Sequence, residues 1–392
     1  MLNEHMLFLG RNRSEIRELF EYGKTLTAQG KQVCDLTLGN PSTPTPNWVS
    51  QVLSSALENP SVHAYTSAQG SLRARRVIAK HLNERGTTRF SPDGVVITCG
   101  AAAALCGVIK TLVSSENTEI IALSPYFPEY KVFTEGAGAK FITVGFCGEN
   151  FTPDIIALKS AVTKNTHAVI INSPNNPSGK VFTAEEITAI SQVLSAKEKE
   201  HGHPIYLISD EPYREILFSE NKLPFIPDFY KNTIICYSYS KSLSLPGERI
   251  GYIAIPGQIC AFNDLYAGFL GSLRSYGYVC APSIFQFMIE NFKEVYADFS
   301  VYESNKNLLA NGLIQLGFTV NDPQGAFYLM VKAPDGDSKG MSEKAKELGL
   351  LIVPADTFGA KGYLRLATCV SHGVARDSLL LFEKLAKIYG LI

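Results

Sequence analysis

Lys241 closes the run Tyr237-Ser238-Tyr239-Ser240-Lys241 and precedes Gly247-Glu248-Arg249-Ile250-Gly251. It follows an apolar, strand-like segment, so it falls at the carboxyl end of a strand, where open α/β sheets collect their ligands. Partial loss of solvent there lowers a lysine's pKa and exposes a nucleophilic amine. Ser238 and Ser240 supply hydroxyls, and Arg249 supplies a planar fork suited to a dianionic phosphate. Three more strand ends carry groups of the same kind. Ser209-Asp210-Glu211-Pro212-Tyr213 offers an Asp able to pair with a cationic ring nitrogen and a Tyr able to reach a ring oxygen. Ser173-Pro174-Asn175-Asn176-Pro177-Ser178-Gly179 projects an asparagine amide. Thr98-Cys99-Gly100-Ala101-Ala102 turns through a glycine into a helix whose free backbone N–H groups make an anion site.

Each stretch has a plainer use when taken singly. A serine-lysine cluster serves as an ordinary polar loop, an Asp at a strand end caps a turn, and Asn, Pro and Gly together build one. Jointly the four supply an anion-binding helix start, an amide, an Asp–Tyr pair and a Ser–Lys–Arg cluster, the set needed to grip a phosphorylated pyridine aldehyde. Two rival chemistries lack their parts. Ser238-x-x-Lys241 fits the S-x-x-K signature of serine β-lactamases and penicillin-binding proteins, which also need S-D-N and K-T-G elements. Neither is present, Ser209-Asp210-Glu211 being the nearest approach. No Walker-type G-x-x-x-x-G-K-S/T occurs either, so a nucleoside triphosphate is not implied.

The elements that must position these groups alternate between short β-branched runs and longer helical stretches. Strands are predicted at Gly94–Thr98, Glu119–Leu123, Lys140–Val144, His167–Ile171, Ile205–Ser209, Thr233–Tyr237 and Gly251–Ile255. Each is short and mostly apolar, as strands buried on both faces are. Amphipathic segments such as Ala101–Val113, Pro153–Ala161 and Thr183–Lys199 lie between them, which predicts a mainly parallel sheet with helices on both faces. Ser14–Gln29 reads as a helix with a serine cap and a Gly30 stop. Toward the end come a helix over Val301–Leu316, a strand at Gly325–Lys332, a helix near Ser342–Leu348, a strand at Gly362–Ala367 and a last helix, an α+β unit. The expected division is 1–45 joining a small C-terminal domain over 296–392, with a large domain over 46–295 between them.

Composition bounds the function. With 392 residues, 45% apolar and 19% charged, the chain can bury a large interior over two domains. A net charge of −1 gives no broad attraction to nucleic acid or anionic lipid. No stretch has the apolar length of a membrane span, and the N-terminal residues lack the basic and apolar regions of a secretory signal. A cytoplasmic location is expected. The eight cysteines, Cys34, Cys99, Cys106, Cys147, Cys236, Cys260, Cys280 and Cys369, form no C-x-x-C pair and have no zinc-ligand spacing. Most lie in apolar runs, so they are expected as reduced core thiols, with neither metal nor disulfides.

From Gly39-Asn40-Pro41 to Arg365, the sequence resembles the class I/II aminotransferases, pyridoxal-5′-phosphate (PLP) enzymes of fold type I related to aspartate aminotransferase. SPNNPSG, SDEPY and SYSKSLSLPGERIGY carry the resemblance most specifically. It implies a large domain built on a mainly parallel seven-stranded sheet, with a small α+β domain. It further implies that Lys241 holds the cofactor as an imine and moves the Cα proton, and that Asp210 keeps the ring nitrogen protonated. Tyr213 and Asn176 would bond the phenolic oxygen, with Asn176 also beside the substrate. Phe127, in Ser124-Pro125-Tyr126-Phe127-Pro128, matches the ring-stacking aromatic, with Tyr126 as the fallback. Ser238, Arg249 and the Gly100, Ala101 and Ala102 stretch would hold the phosphate, the alanines through backbone alone. Tyr65 matches a tyrosine that reaches the phosphate of a partner subunit, which implies a homodimer with shared sites. Arg365, in Gly362-Tyr363-Leu364-Arg365-Leu366, matches the arginine that binds the substrate α-carboxylate as a bidentate pair, with a backbone contact from Gly39.

The activity so implied is transfer of the amino group of an L-amino acid to a 2-oxo acid in two half-reactions. The donor's side chain is not legible, and Arg274 reads as a residue of a solvated helix face. The same framework supports C–S β-lyase and other eliminations. A PLP-fold ligand sensor or regulator is the remote alternative; such regulators carry a DNA-binding domain ahead of the fold.

Overall fold

β-Branched and aliphatic runs of four to seven residues form the centre of the molecule, because both of their faces can be covered by helices. The computed structural model describes residues 2–11, 14–219 and 221–392. Seven strands make the main sheet: β1 (Val95–Thr98), β2 (Glu119–Leu123), β3 (Lys140–Val144), β4 (Thr166–Asn172), β5 (Tyr206–Asp210), β6 (Thr233–Ser238) and β7 (Gly251–Ala254). Their order is β1-β7-β6-β5-β4-β2-β3. Only β7 runs antiparallel, against both β1 and β6. Its connection from β6 holds only the short helix Tyr239–Ser242, too little chain to cross over and return parallel.

Alternate residues of each strand point to opposite faces. Ile120, Ala122, Ile170, Ile208 and Ile234 pack on one side, with helices α3 (Gly100–Leu112) and Phe262–Ser275. Ile121, Leu123, Val169, Ile171 and Leu207 pack on the other, beneath Ala184–His201. Each such aliphatic side chain contributes about 1.5–3 kcal/mol by leaving water. The second layer is a three-stranded antiparallel sheet of β8 (Tyr328–Lys332), β9 (Val353–Pro354) and β10 (Tyr363–Ala367), in the order β8-β10-β9. Leu309, Leu313 and Phe382 from the helices Ser300–Gln315 and His372–Ile388 cover it. Cys34–Asp35 pairs in parallel with Leu350–Leu351, and Cys34 and Leu36 enter the same core.

All seven predicted main-sheet strands are present, each within a residue or so of its expected ends. Ser14 caps the helix Glu15–Ala28, accepting from the Arg17 amide, and Gly30 has φ 76°. Three expectations need correction. The strand expected from Gly325 starts only at Tyr328, because Gln324 and Gly325 donate to the Gly179 carbonyl and Ala326 turns with φ 58°. The helix expected near Ser342 begins at Ser338, where the Asp337 side chain caps it. The cysteines are not uniformly core residues: Cys34, Cys236 and Cys369 are buried, but Cys147 and Cys260 are exposed. The first helix, Glu4–Arg11, had no signal beyond a short apolar run.

Behind the end of β5 lies a buried ion cluster. Glu211 meets Arg85 at 2.9 Å and Arg214 at 3.5 Å, while the Arg214 Nε donates to Glu215 at 2.8 Å. The Arg214 guanidinium also covers the Tyr237 ring at 3.7 Å, and the Ser209 hydroxyl donates to Glu211 at 2.9 Å. Arg214 is buried and the Glu215 side chain is 9% exposed, so removing Arg214 leaves the Glu215 charge without its cation and takes one of two from Glu211. Arg214→Met is expected to lower the free energy of unfolding in urea by about 3–5 kcal/mol. A loss below about 1 kcal/mol would put the cluster among solvated surface pairs instead.

Candidate active site

The carboxyl ends of the parallel strands open on one edge of the sheet, and the four sequence stretches meet there. β1 passes through Cys99 into α3, β4 ends at Asn172, β5 at Asp210, and β6 runs into the turn holding Lys241. A cavity of about 240 Å³ collects Gly39, Ala101, Ala102, Phe127, Asn176, Asp210, Tyr213, Ser238, Lys241, Arg249 and Arg365. Of the residues singled out in the sequence, Tyr65 stands apart. It is 97% exposed and lines no part of this cavity.

Lys241 donates from Nζ to the Gly39 carbonyl at 2.6 Å. Burial pushes its pKa down to about 8; Cys369 pulls the other way, and the charges of Arg249 and Arg365 add to the depression. At neutral pH a useful fraction of a free amine is therefore present, which a nucleophile requires. Asp210 is 4% exposed and takes a 2.5 Å hydrogen bond at Oδ2 from the Tyr130 hydroxyl. Its other oxygen, Oδ1, is buried with no partner in the chain. Loss of solvent raises the Asp210 pKa to about 7, opposed by the Tyr130 bond and assisted by Glu211.

The anion end is built by shape. Gly100 has φ 81°, and a Cβ placed there would sit 2.8 Å from the Arg249 Nη2, so a side chain would displace the guanidinium. No side chain caps α3, which leaves its first N–H groups free for an anion. Arg249, itself at φ 54°, donates to the Pro246 carbonyl at 2.9 Å and leans on Ser240 at 3.4 Å. Ser238 and Ser240 share a 2.7 Å hydroxyl contact.

At the opposite end Arg365 is only 2% exposed. It donates to Asn176 Oδ1 at 3.0 Å and to the Thr37 carbonyl, lies over the Tyr328 ring at 4.6 Å, and keeps a buried Nε without a partner. Its strand, β10, turns this side chain inward rather than to solvent. Asn176 is held by a 2.6 Å bond from its amide to Asn172 Oδ1. The Tyr213 hydroxyl meets that of Tyr328 at 3.1 Å. Gly39 cannot be larger, since a Cβ there would collide with the Tyr328 hydroxyl. Phe127 borders the cavity edge-on to Tyr130 at 5.7 Å, whereas the fallback Tyr126 packs into the core against Phe141.

Sequence reasoning missed Tyr130, Asn172, Tyr328 and Ile16. Tyr130 falls one helical turn after Phe127, so the two share a face of the same segment; that spacing was the signal available. Asn172 sits on an otherwise apolar strand, and a polar residue at a buried strand end was the hint there.

Asp210 links the site to stability. Between its ordinary value of 3.8 and about 7, the folded chain keeps a proton that the unfolded chain has released. Folding stability from this group is therefore full below pH 4 and falls as pH rises through that window. Asp210→Asn removes the effect. In dialysed, ligand-free protein it should raise Tm over the wild type at pH 8, by at most about 4 kcal/mol of stability, with the gap closing toward pH 4. Equal pH profiles for the two proteins would mean that Asp210 is ionised at no cost.

Comparison with known proteins agrees with this arrangement. The model of the family "Aminotransferase class I and II" matches residues 31–376. An aspartate aminotransferase of Geobacillus stearothermophilus is 31% identical over 373 residues, covering 90% of each chain. One from Thermotoga maritima is 29% identical over 364 residues, covering 91% of this chain and 92% of that one. The crystal structure of an amino transferase from Eubacterium rectale superposes with a TM-score of 0.96 at 46% identity, over 99% of both chains. The chain thus belongs to the class I and II aminotransferases, with the fold type I architecture of aspartate aminotransferase.

Proposed function

We propose that this aminotransferase uses pyridoxal 5′-phosphate, and that the converging residues take the roles that follow. The observation that carries the reading is the pairing of a depressed lysine amine with a buried carboxylate oxygen that has no partner in the chain. A cationic ring nitrogen satisfies that oxygen, and the Gly100 cradle with Arg249 suits a phosphate. The residues fit the cofactor at both of its ends. When bound, it supplies an aldehyde for amine exchange and a cationic ring that draws electrons from the substrate Cα.

Lys241 holds the aldehyde carbon through Nζ and, once released, takes the Cα proton as a tethered general base. Asp210 holds the ring-nitrogen proton at Oδ1 while Tyr130 fixes Oδ2. Tyr213 and Asn176 bond the ring oxygen, and Phe127 covers the ring face. Ser238, Arg249 and the N–H groups of Gly100, Ala101 and Ala102 bind the phosphate. Arg365 orients the substrate α-carboxylate with its planar fork, Asn176 and Gly39 completing that end. The substrates are an L-amino acid and a 2-oxo acid, exchanged in two half-reactions.

The surroundings extend the reading. Tyr65 is exposed in the single chain, as a residue that completes a second copy's phosphate site must be. This supports a homodimer with shared sites. Among the described residues no helix is long and apolar enough to cross a membrane. The eight free cysteines suit the reducing cytoplasm, where we place the protein. We divide the chain into 1–45, joined to a small domain over 296–392, and a large domain over 46–295. The pairing of Cys34–Asp35 with Leu350–Leu351 supports the first join.

Lys241→Ala is expected to abolish turnover with an unchanged circular dichroism spectrum. Asp210→Ala should cost several orders of magnitude in kcat, since a neutral ring is a poor electron sink. A loss below about tenfold would remove Asp210 from its role. The assay follows oxo-acid-dependent turnover beside ammonia release; ammonia without an acceptor would mark elimination instead.

A further inference from the structure

Ile16, Ala102 and Phe127 each border two cavities. They line the chamber of about 240 Å³ that contains Lys241 and Asp210, and they also line an outer one of about 940 Å³. The outer chamber lies between two parts of the chain. Leu9 and Ile16 come from the helices α1 (Glu4–Arg11) and α2 (Glu15–Ala28), and Val132 and Phe133 come from α4 (Glu129–Gly136). The boundary that the two chambers share is therefore formed by an isoleucine, an alanine and a phenylalanine.

Charge in the two chambers is unevenly placed. Among the described residues the inner one holds three cations, and the proposed reaction occupies all of them. Lys241 serves the cofactor, Arg249 its phosphate, and Arg365 the α-carboxylate. The outer chamber has the carboxyls of Glu15, Glu21 and Glu129 in its wall; Glu15 and Glu129 are partly buried and pushed up in pKa by loss of solvent, and Glu15 is met by Lys339 at 3.8 Å. Among the described residues the cation in its lining is Arg17, which is exposed and already lowers the Glu129 carboxyl toward its usual range. A second substrate carboxylate entering this space would meet three like groups, two of them short of solvent, an arrangement that selects against it.

Resting on the transaminase reading, we propose that the amino donor is an L-amino acid with a bulky, uncharged, apolar side chain. That side chain passes between Ile16, Ala102 and Phe127 into the outer chamber. Aspartate and glutamate are then poor donors, although relatives of this chain carry the aspartate name. Val132 and Phe133 set the room available at the far end and act as specificity-determining residues.

The test uses holoenzyme and two readouts. In a donor panel, phenylalanine, leucine and methionine should exceed aspartate and glutamate in kcat/KM by about a hundredfold, as apolar burial in a fitted pocket allows. Val132→Trp, which fills the outer chamber, should cut the phenylalanine value about tenfold while leaving alanine within about twofold; should that variant fail to fold, Val132→Phe carries the same expectation. Independently of turnover, calorimetry on wild-type holoenzyme should find 3-phenylpropanoate bound more tightly than succinate. Aspartate or glutamate as the best donor, or succinate as the tighter ligand, would overturn the proposal. If 3-phenylpropanoate binds more tightly and no donor turns over, the transaminase reading fails and the preference for an apolar side chain stands.

Discussion

Three cations share one small, largely apolar chamber, and the organisation of the molecule follows from that constraint. Lys241, Arg249 and Arg365 repel one another across a space with little solvent to screen them. Such an arrangement costs stability in the free protein and is favoured only when anions enter. In the proposed function a phosphate at one end and an α-carboxylate at the other would answer the two arginines, while burial keeps the lysine depressed and nucleophilic. Asp210 is the mirror case. It is a carboxyl group with too little solvent and one oxygen without a partner in the chain, which the proposed function fills with a cationic ring nitrogen.

Placing mismatched charges so close demands rigid supports, and the sheet provides them. Asn172, Asp210, Ser238 and Lys241 sit at the end of a strand buried on both faces or one turn beyond it. The strands' register thus fixes the spacing between Asn172, Asp210 and Ser238, with Asn172 opposite Asp210 and the Asn172 amide bonded to the Asp210 carbonyl at 2.8 Å. The antiparallel β7 has a particular role. By returning without a crossover helix, it keeps Lys241 and Arg249 on one short connection, so amine and guanidinium cannot drift apart. Glu211, Arg85 and Arg214 then secure the chain just past Asp210 from behind.

Much of this was legible in the chain because strand ends announce themselves. Apolar runs broken by Ser, Asn, Asp or Gly located the sheet and put Lys241, Asp210, Asn176 and Gly100 along one edge. What could not be read is what periodicity does not encode. Tyr130 acts through a hydroxyl on an ordinary amphipathic helix, and only the path of α4 brings it to Asp210. Tyr328 and Arg365 lie on neighbouring strands far from the cofactor motifs, where a period of two says which face a residue takes but not what that face meets. Ile16 reaches the chamber from a helix whose own sequence signals only a cap and an amphipathic face.

The same contrast separates reaction from specificity. Amine exchange and proton transfer need groups at fixed strand ends, so their identity is written in short motifs. The substrate's side chain instead meets a surface assembled from α1, α2 and α4, segments that touch only after folding. Such surfaces carry no motif, since isoleucine, alanine and valine at these places are indistinguishable in sequence from core residues. A family can therefore keep Lys241, Asp210 and Arg365 and still change its donor by altering a few side chains on those helices, without disturbing the charge arrangement of the inner chamber.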